Sequence, residues 1–201
     1  MKATGKKTVQ AVLAVALGLA LAFPAVAQPP GKKAGQRLAP DVQVKILLNS
    51  ISYHQSPRIK NAAKIVIAVV HEESASSEQA AIIKAAFEKN GSTKIGKKPF
   101  SVVDISFTGI TDLKKKLTAQ GANVVYVVAG SEATARKSVS ATRALKMLSV
   151  AGEPNYVHWL GVCLGVEATA GRRKILINLS GCKLEDVRFD PRLLRIATVS
   201  F

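Results

Sequence analysis

The chain has 201 residues, 48% of them hydrophobic, and carries 29 Lys+Arg against 13 Asp+Glu for a formal net charge of +16. That length accommodates one domain, and the apolar content supports a core, which excludes wholesale disorder. Two cysteines exclude a four-thiolate zinc site or a disulfide-dense miniprotein, and the widely separated His54, His71 and His158 lack the helical spacing of a metal site.

The amino-terminus reads as an address. Lys2, Lys6 and Lys7, an uncharged run from Ala11 to Ala22 and the small residues of Ala25-Val26-Ala27 have the layout of a secretory signal peptide, with cleavage expected after Ala27. In a bacterium the destination is the periplasm. Residues 28–37, rich in Pro, Gly, Lys and Gln, read as a flexible linker, and residues 38–201 as the folded domain. Removing residues 1–27 takes away three lysines and no acids, which leaves a charge of +13. A field of that sign favours anionic partners. Export and an aromatic content of 5% argue against nucleic acid, which needs stacking platforms.

Pro40-Asp41 opens a stretch in which Val44, Leu47, Leu48 and Ile51 recur at helical spacing, so residues 40–54 are expected to be a helix. Residues 65–70 form an apolar, β-branched run typical of a strand buried on both faces. Ser76-x-x-Gln79 has capping-box spacing ahead of a helix over 77–89, followed by a strand over 100–105 and a helix over 112–120 capped by Thr111. A third strand covers 124–128. The helix after Gly130-Ser131 is expected to turn Ala141, Ala144, Leu145 and Leu148 inward and Arg136, Lys137 and Arg143 outward, and a short fourth strand covers 149–151. Residues 157–167 and 173–179, reversing at Ala170-Gly171, read as an antiparallel hairpin, and Asp190-Pro191 caps a last short helix. The alternation predicts an α/β fold: a mostly parallel sheet with flanking helices, Rossmann-like and three-layered, ending in a C-terminal antiparallel hairpin.

Little in this pattern carries chemistry. The segment from Gly91 to Lys98 has phosphate-loop spacing, but Lys98 stands where a hydroxyl must hold magnesium, and the segment runs from a helix into a strand rather than the reverse. It reads as a basic turn. Gly130, Ser131, Thr134 and Arg136 follow the carboxyl end of a predicted parallel strand at a helix start, where α/β sheets place ligands, and form the candidate site for a small anion. The plainer reading is that Ser131 caps the helix and Arg136 is solvated. No nucleophile has an evident base, no acid/base pair can be named, and no cofactor motif is present, so the expectation is a binding protein and not an enzyme. Cys163 and Cys182 fall at the same end of the hairpin, and an oxidising compartment favours a disulfide between them over two buried thiols or a redox pair.

Five stretches follow in order across residues 120–200: Val124-Val-Tyr-Val-Val-Ala-Gly-Ser-Glu132, Leu148-Ser-Val-Ala-Gly-Glu-Pro154, Gly161-Val-x-Leu-Gly-Val-Glu167, Ile175-Leu-Ile-Asn-Leu179 and Phe189-Asp-Pro-Arg-Leu-Leu-Arg-Ile-Ala197. In their order and spacing they resemble the YfiR-like periplasmic family. The resemblance implies a small secreted α/β domain that acts by contact. Its best-known members restrain a membrane-bound diguanylate cyclase from the periplasmic side, coupling envelope conditions to cyclic-di-GMP, and tend to form homodimers. The chain departs from the family at Ser50-Ile-Ser-Tyr-His-Gln-Ser-Pro57, where an aromatic-rich Trp-Pro segment is usual, and in having a single cysteine pair.

Overall fold

The computed structural model describes residues 35–201. The expected signal peptide and most of the expected linker lie outside that range. Eight helices are described: α1 (Pro40–Ile51), α2 (Pro57–Lys60), α3 (Ser77–Lys89), α4 (Ile110–Ala119), α5 (Glu132–Leu145), α6 (Pro154–Trp159), α7 (Leu179–Leu184) and α8 (Pro191–Leu194). They alternate with seven strands: β1 (Ile65–His71), β2 (Phe100–Ser106), β3 (Val124–Val127), β4 (Leu148–Ala151), β5 (Leu164–Thr169), β6 (Arg172–Asn178) and β7 (Thr198–Ser200).

The strands form one sheet in the order β2-β1-β3-β4-β5-β6-β7. β1 to β5 run parallel, β6 returns antiparallel to β5, and β7 lies parallel to β6. This is the predicted α/β arrangement with its hairpin. The chain leaves β1 toward β2 on one side and toward β4 and β5 on the other, so the order of connection reverses between β1 and β3.

Two apolar layers cover the sheet. Val44, Leu47, Leu48 and Ile51 of α1 and Ile83 and Phe87 of α3 pack with Ile65, Ile67, Val69 and Tyr126 on one face. Leu113 and Leu117 of α4, Ala135 and Val139 of α5 and Val157 of α6 pack with Val70, Val125 and Val127 on the other. The central strands β3 and β4 are buried at every residue, which is why they read as continuous apolar runs. A fully buried Leu, Ile or Phe contributes about 1.5–3 kcal/mol, so these two layers supply the main driving force for folding.

Local chemistry departs from the expected pattern in several places. Helix α1 stops at Ile51, and His54 then bridges to Phe189. Ser76 does not cap α3; its hydroxyl accepts the Glu72 N–H at 2.9 Å. Helix α4 begins at Ile110, ahead of the expected Thr111 cap. On α5 the buried stripe is Ala135, Ser138, Val139, Ala141 and Thr142, Ala144 is exposed, and Leu148 belongs to β4. Arg143 turns inward, its guanidinium donating to the carbonyls of Leu160 and Gly161, each at 3.4 Å. Val157 lies in α6, which Glu153 caps at Asn155 N–H, and the hairpin starts only at Leu164.

The last residues of the expected linker lie against the domain: Gln36 bridges to Ala168, Gly35 N–H donates to Glu167, and Arg37 pairs with Glu153 at 2.5 Å.

Candidate functional site

In a doubly wound sheet the ligand crevice opens at the carboxyl ends of the strands where the connections diverge, here between β1 and β3. β1 delivers His71 and Glu72 to this edge; β3 delivers Gly130 and Ser131 through a short turn into α5. Ser131 is the N-cap, its hydroxyl accepting Thr134 N–H at 3.3 Å, as its position predicts. The same hydroxyl donates to the Glu72 carboxylate. That hydrogen bond and the neighbouring Thr134 side chain hold the Glu72 carboxyl below its ordinary range.

The structure therefore brings Gly130, Ser131 and Thr134 together around an anion that the chain itself supplies. Gly130 is further engaged: its N–H donates to the Tyr156 hydroxyl at 3.0 Å, which in turn donates to the Gly130 carbonyl at 2.9 Å. Arg136 is turned to Glu132, at 2.8 Å from Nε. An external anion at this helix start has to displace Glu72. Glu72 and Tyr156 are the partners that sequence reasoning missed, because Glu72 follows a different strand and only the parallel pairing of β1 with β3 makes the two loops neighbours. On the β2 side, His71 Nε2 lies 3.0 Å from the Asp104 carboxylate.

At the opposite end of the sheet, Cys163, just before β5, is disulfide-bonded to Cys182 of α7, with 4.7 Å between Cα atoms. Two buried polar groups adjoin it. Cys163 N–H donates to Ser149 Oγ at 2.9 Å, and Ser149 N–H donates to the carboxyl of Glu185 at 2.9 Å. Glu185 is fully buried, and its other oxygen lies 2.6 Å from the Thr142 hydroxyl. Burial pushes its carboxyl up to about 7. Beyond α7 a surface groove of about 340 Å³ is lined by Leu179, Val187, Phe189 and Leu194 with Lys183 and Arg188 among the polar residues. Leu184 and Ile196, each within two residues of one lining the groove, are exposed.

Among the described residues, no group of three or more His, Cys, Asp or Glu could hold a metal ion, and no helix is long and apolar enough to cross a membrane. The Gly91–Lys98 segment joins α3 to β2, and Lys98 Nζ donates to the Ile59, Lys60 and Ala62 carbonyls.

The fold and its switch-point crevice define a doubly wound α/β domain extended by an antiparallel strand and a parallel edge strand. The chain belongs to the YfiR/HmsC-like family, which it matches over residues 40–198. Among solved structures it is similar to an ABC domain in complex with L-Trp from Streptococcus pneumonia, at 13% identity and a TM-score of 0.56, over 81% of this chain and 60% of that one. It is equally similar to a conserved domain protein from Vibrio cholerae O1 biovar El Tor, at 12% identity and a TM-score of 0.58, again over 81% and 60%. At these identities the likeness is one of fold, and the chain spans about 60% of the length of either protein. No curated protein matches.

Proposed function

We propose that this is an exported regulatory protein of the bacterial periplasm that works by binding the periplasmic part of a membrane-bound signalling protein, of the kind represented by a diguanylate cyclase. The observation that carries the reading is membership of the YfiR/HmsC-like family over nearly the whole domain. At the family level these proteins are periplasmic regulators rather than catalysts. Three features of this chain support it: the secretory pattern ending at Ala27, the Cys163–Cys182 bridge suited to an oxidising compartment, and a polar crevice whose groups are engaged with one another rather than poised for turnover.

Such a protein lowers or raises the output of its partner by holding one conformation of the partner's exported domain, which requires differential affinity for the two states. The groove beside α7, with exposed Leu184 and Ile196, has the mixed apolar and cationic character of a contact surface. The experiment is co-purification of the tagged protein with the periplasmic domain of a membrane signalling protein encoded beside its gene, together with cyclic-di-GMP measured in cells with and without the gene. Retention of that domain and a changed cyclic-di-GMP level are expected; no retention and an unchanged level would remove the reading.

A further inference from the structure

We propose that the end of the sheet where the parallel strands begin is a lysine pad that docks on an anionic phospholipid surface. The pad is built from two loops that the topology makes neighbours. β1 and β2 pair in parallel with Ile65 opposite Phe100, so the loop entering β1 and the loop entering β2 lie side by side, joined by the Ile65 N–H to Pro99 carbonyl bond at 3.0 Å. Lys98 fastens them: its ammonium reaches from the second loop to the carbonyls of Ile59 at 2.9 Å, Ala62 at 2.5 Å and Lys60. Around this staple Lys60, Lys64, Lys94 and Lys97 are all exposed, and among the described residues none of them makes an ion pair.

The carboxylates are elsewhere. Glu72, Glu73, Glu78, Asp104, Asp112, Glu132 and Glu153 gather where β1 to β4 end and the following helices begin, a placement favoured by the helix dipoles. Three cations at that end are paired with them: Arg37 with Glu153 at 2.5 Å, Lys116 with Asp112 at 2.7 Å and Arg136 with Glu132 at 2.5 Å. Near the pad, Glu88 is paired with Lys84 at 3.3 Å, and Asp186 shares a small cavity with Arg58 and Lys146. The pad thus gathers four exposed, unpaired lysines on two adjacent loops, while Arg172 and Arg173 form a smaller exposed cationic pair at the hairpin tip.

The residue types choose the occupant. Protein interfaces are depleted in lysine and enriched in arginine and aromatic anchors, and the four exposed cations here are all lysines. A compact ammonium on a flexible stem needs no fixed acceptor geometry, which suits a fluid array of phosphate headgroups. A protein seated this way holds its switch-point crevice away from the bilayer. The proposal rests on the exported location proposed above, while its physical test does not.

The test is co-sedimentation of the exported protein with phosphatidylglycerol/phosphatidylcholine vesicles at low salt, with three variants that share one amino-terminus. K94Q/K97Q is expected to weaken vesicle partition about 30-fold, and K60Q/K64Q by a similar factor. R172Q/R173Q removes the same charge at the hairpin tip, at the other end of the sheet, and is expected to stay within about twofold of the parent. Binding disappears in about 0.5 M salt and on pure phosphatidylcholine. Equal loss in all three variants, undiminished binding by both pad variants, or no binding by the parent would overturn the proposal, as would a pad that captures an acidic protein domain while ignoring vesicles. The vesicles contain no protein, so a failed partner pull-down leaves this result standing, and the reverse also holds.

Discussion

Glu185 and His54 are two buried groups whose protonation is coupled to folding between about pH 4 and 7. Glu185 sits between the Ser149 N–H and the Thr142 hydroxyl, and the Thr142 hydroxyl also lies 2.8 Å from the Val139 carbonyl. One hydroxyl hydrogen cannot serve both acceptors, so a neutral Glu185 that donates to Thr142 satisfies the whole set. Burial accordingly raises its carboxyl to about 7, and the native state keeps a proton that the unfolded chain releases near pH 4.5. The associated stability is complete below that value and is lost as the pH rises to about 7. His54 acts in the opposite sense. Burial first, and Lys60 second, lower it to about 4, while its Nδ1 accepts the Ser56 N–H at 3.0 Å. The unfolded chain takes up a proton below about 6.5, so the His54 contribution is present above that value and is lost as the pH falls toward 4. Each effect is worth up to about 3 kcal/mol. The two offset one another across the shared window, and the parent protein should show a nearly flat stability there. E185Q retains both hydrogen bonds through its amide and cannot ionise. Urea midpoints should show it more stable than the parent at pH 8, converging with it near pH 5 and declining on acidification. Parallel pH curves for the two proteins would contradict the assignment.

At the scale of the elements, α7 shows how a segment too short to hold itself is kept in place. Six residues cannot form a stable isolated helix. Asn178 caps it at the Gly181 N–H, 2.8 Å, and Cys182 ties it to the residue preceding β5 across a sequence separation of 19. Closing a loop of that length is worth about 3 kcal/mol. C163A/C182A should lower the unfolding free energy by about that amount in urea titration; an unchanged midpoint would show that the bridge adds nothing to native stability. The same elements show what periodicity conveys. α3 agrees with its expected range because a long amphipathic stripe ends at Asn90-Gly91. α2, α6 and α7 were not legible, since four to six residues make too little of a stripe. The signals that could have found α6 are Pro154 at its first turn and Glu153 before it. The inward turn of Arg143 was illegible for another reason: its acceptors are the carbonyls of Leu160 and Gly161, which no pattern on α5 reveals.

The whole molecule carries +16 with its cations unevenly placed, and most of its ion pairs are solvent-exposed and therefore weak. Self-repulsion is then the larger electrostatic effect on stability. Raising sodium chloride from about 50 to 500 mM shortens the screening length severalfold and should raise the melting temperature by a few degrees. A fall would mean that ion pairs outweigh repulsion. The same charge distribution divides the protein functionally: the carboxyl-end crevice is internally neutralised around Glu72, while the lysine end stays open to anionic surfaces.

The sequence by itself determined the α/β class, the order of the major elements, the parallel core with its hairpin and the family. These follow from hydrophobic period, turn residues and motif order, all of which act over a few neighbouring positions. Only the tertiary structure decided what Ser131 does. The helix start at Gly130-Ser131 was visible along the chain, but the carboxylate that fills it comes from Glu72, 59 residues earlier, and becomes a neighbour only when β1 and β3 pair. The lysine pad has the same origin, because Lys60, Lys64, Lys94 and Lys97 are separate short runs until parallel pairing sets their loops side by side. Electrostatics and hydrogen bonding act through space, so partners that the sheet topology brings together cannot be read from spacing alone.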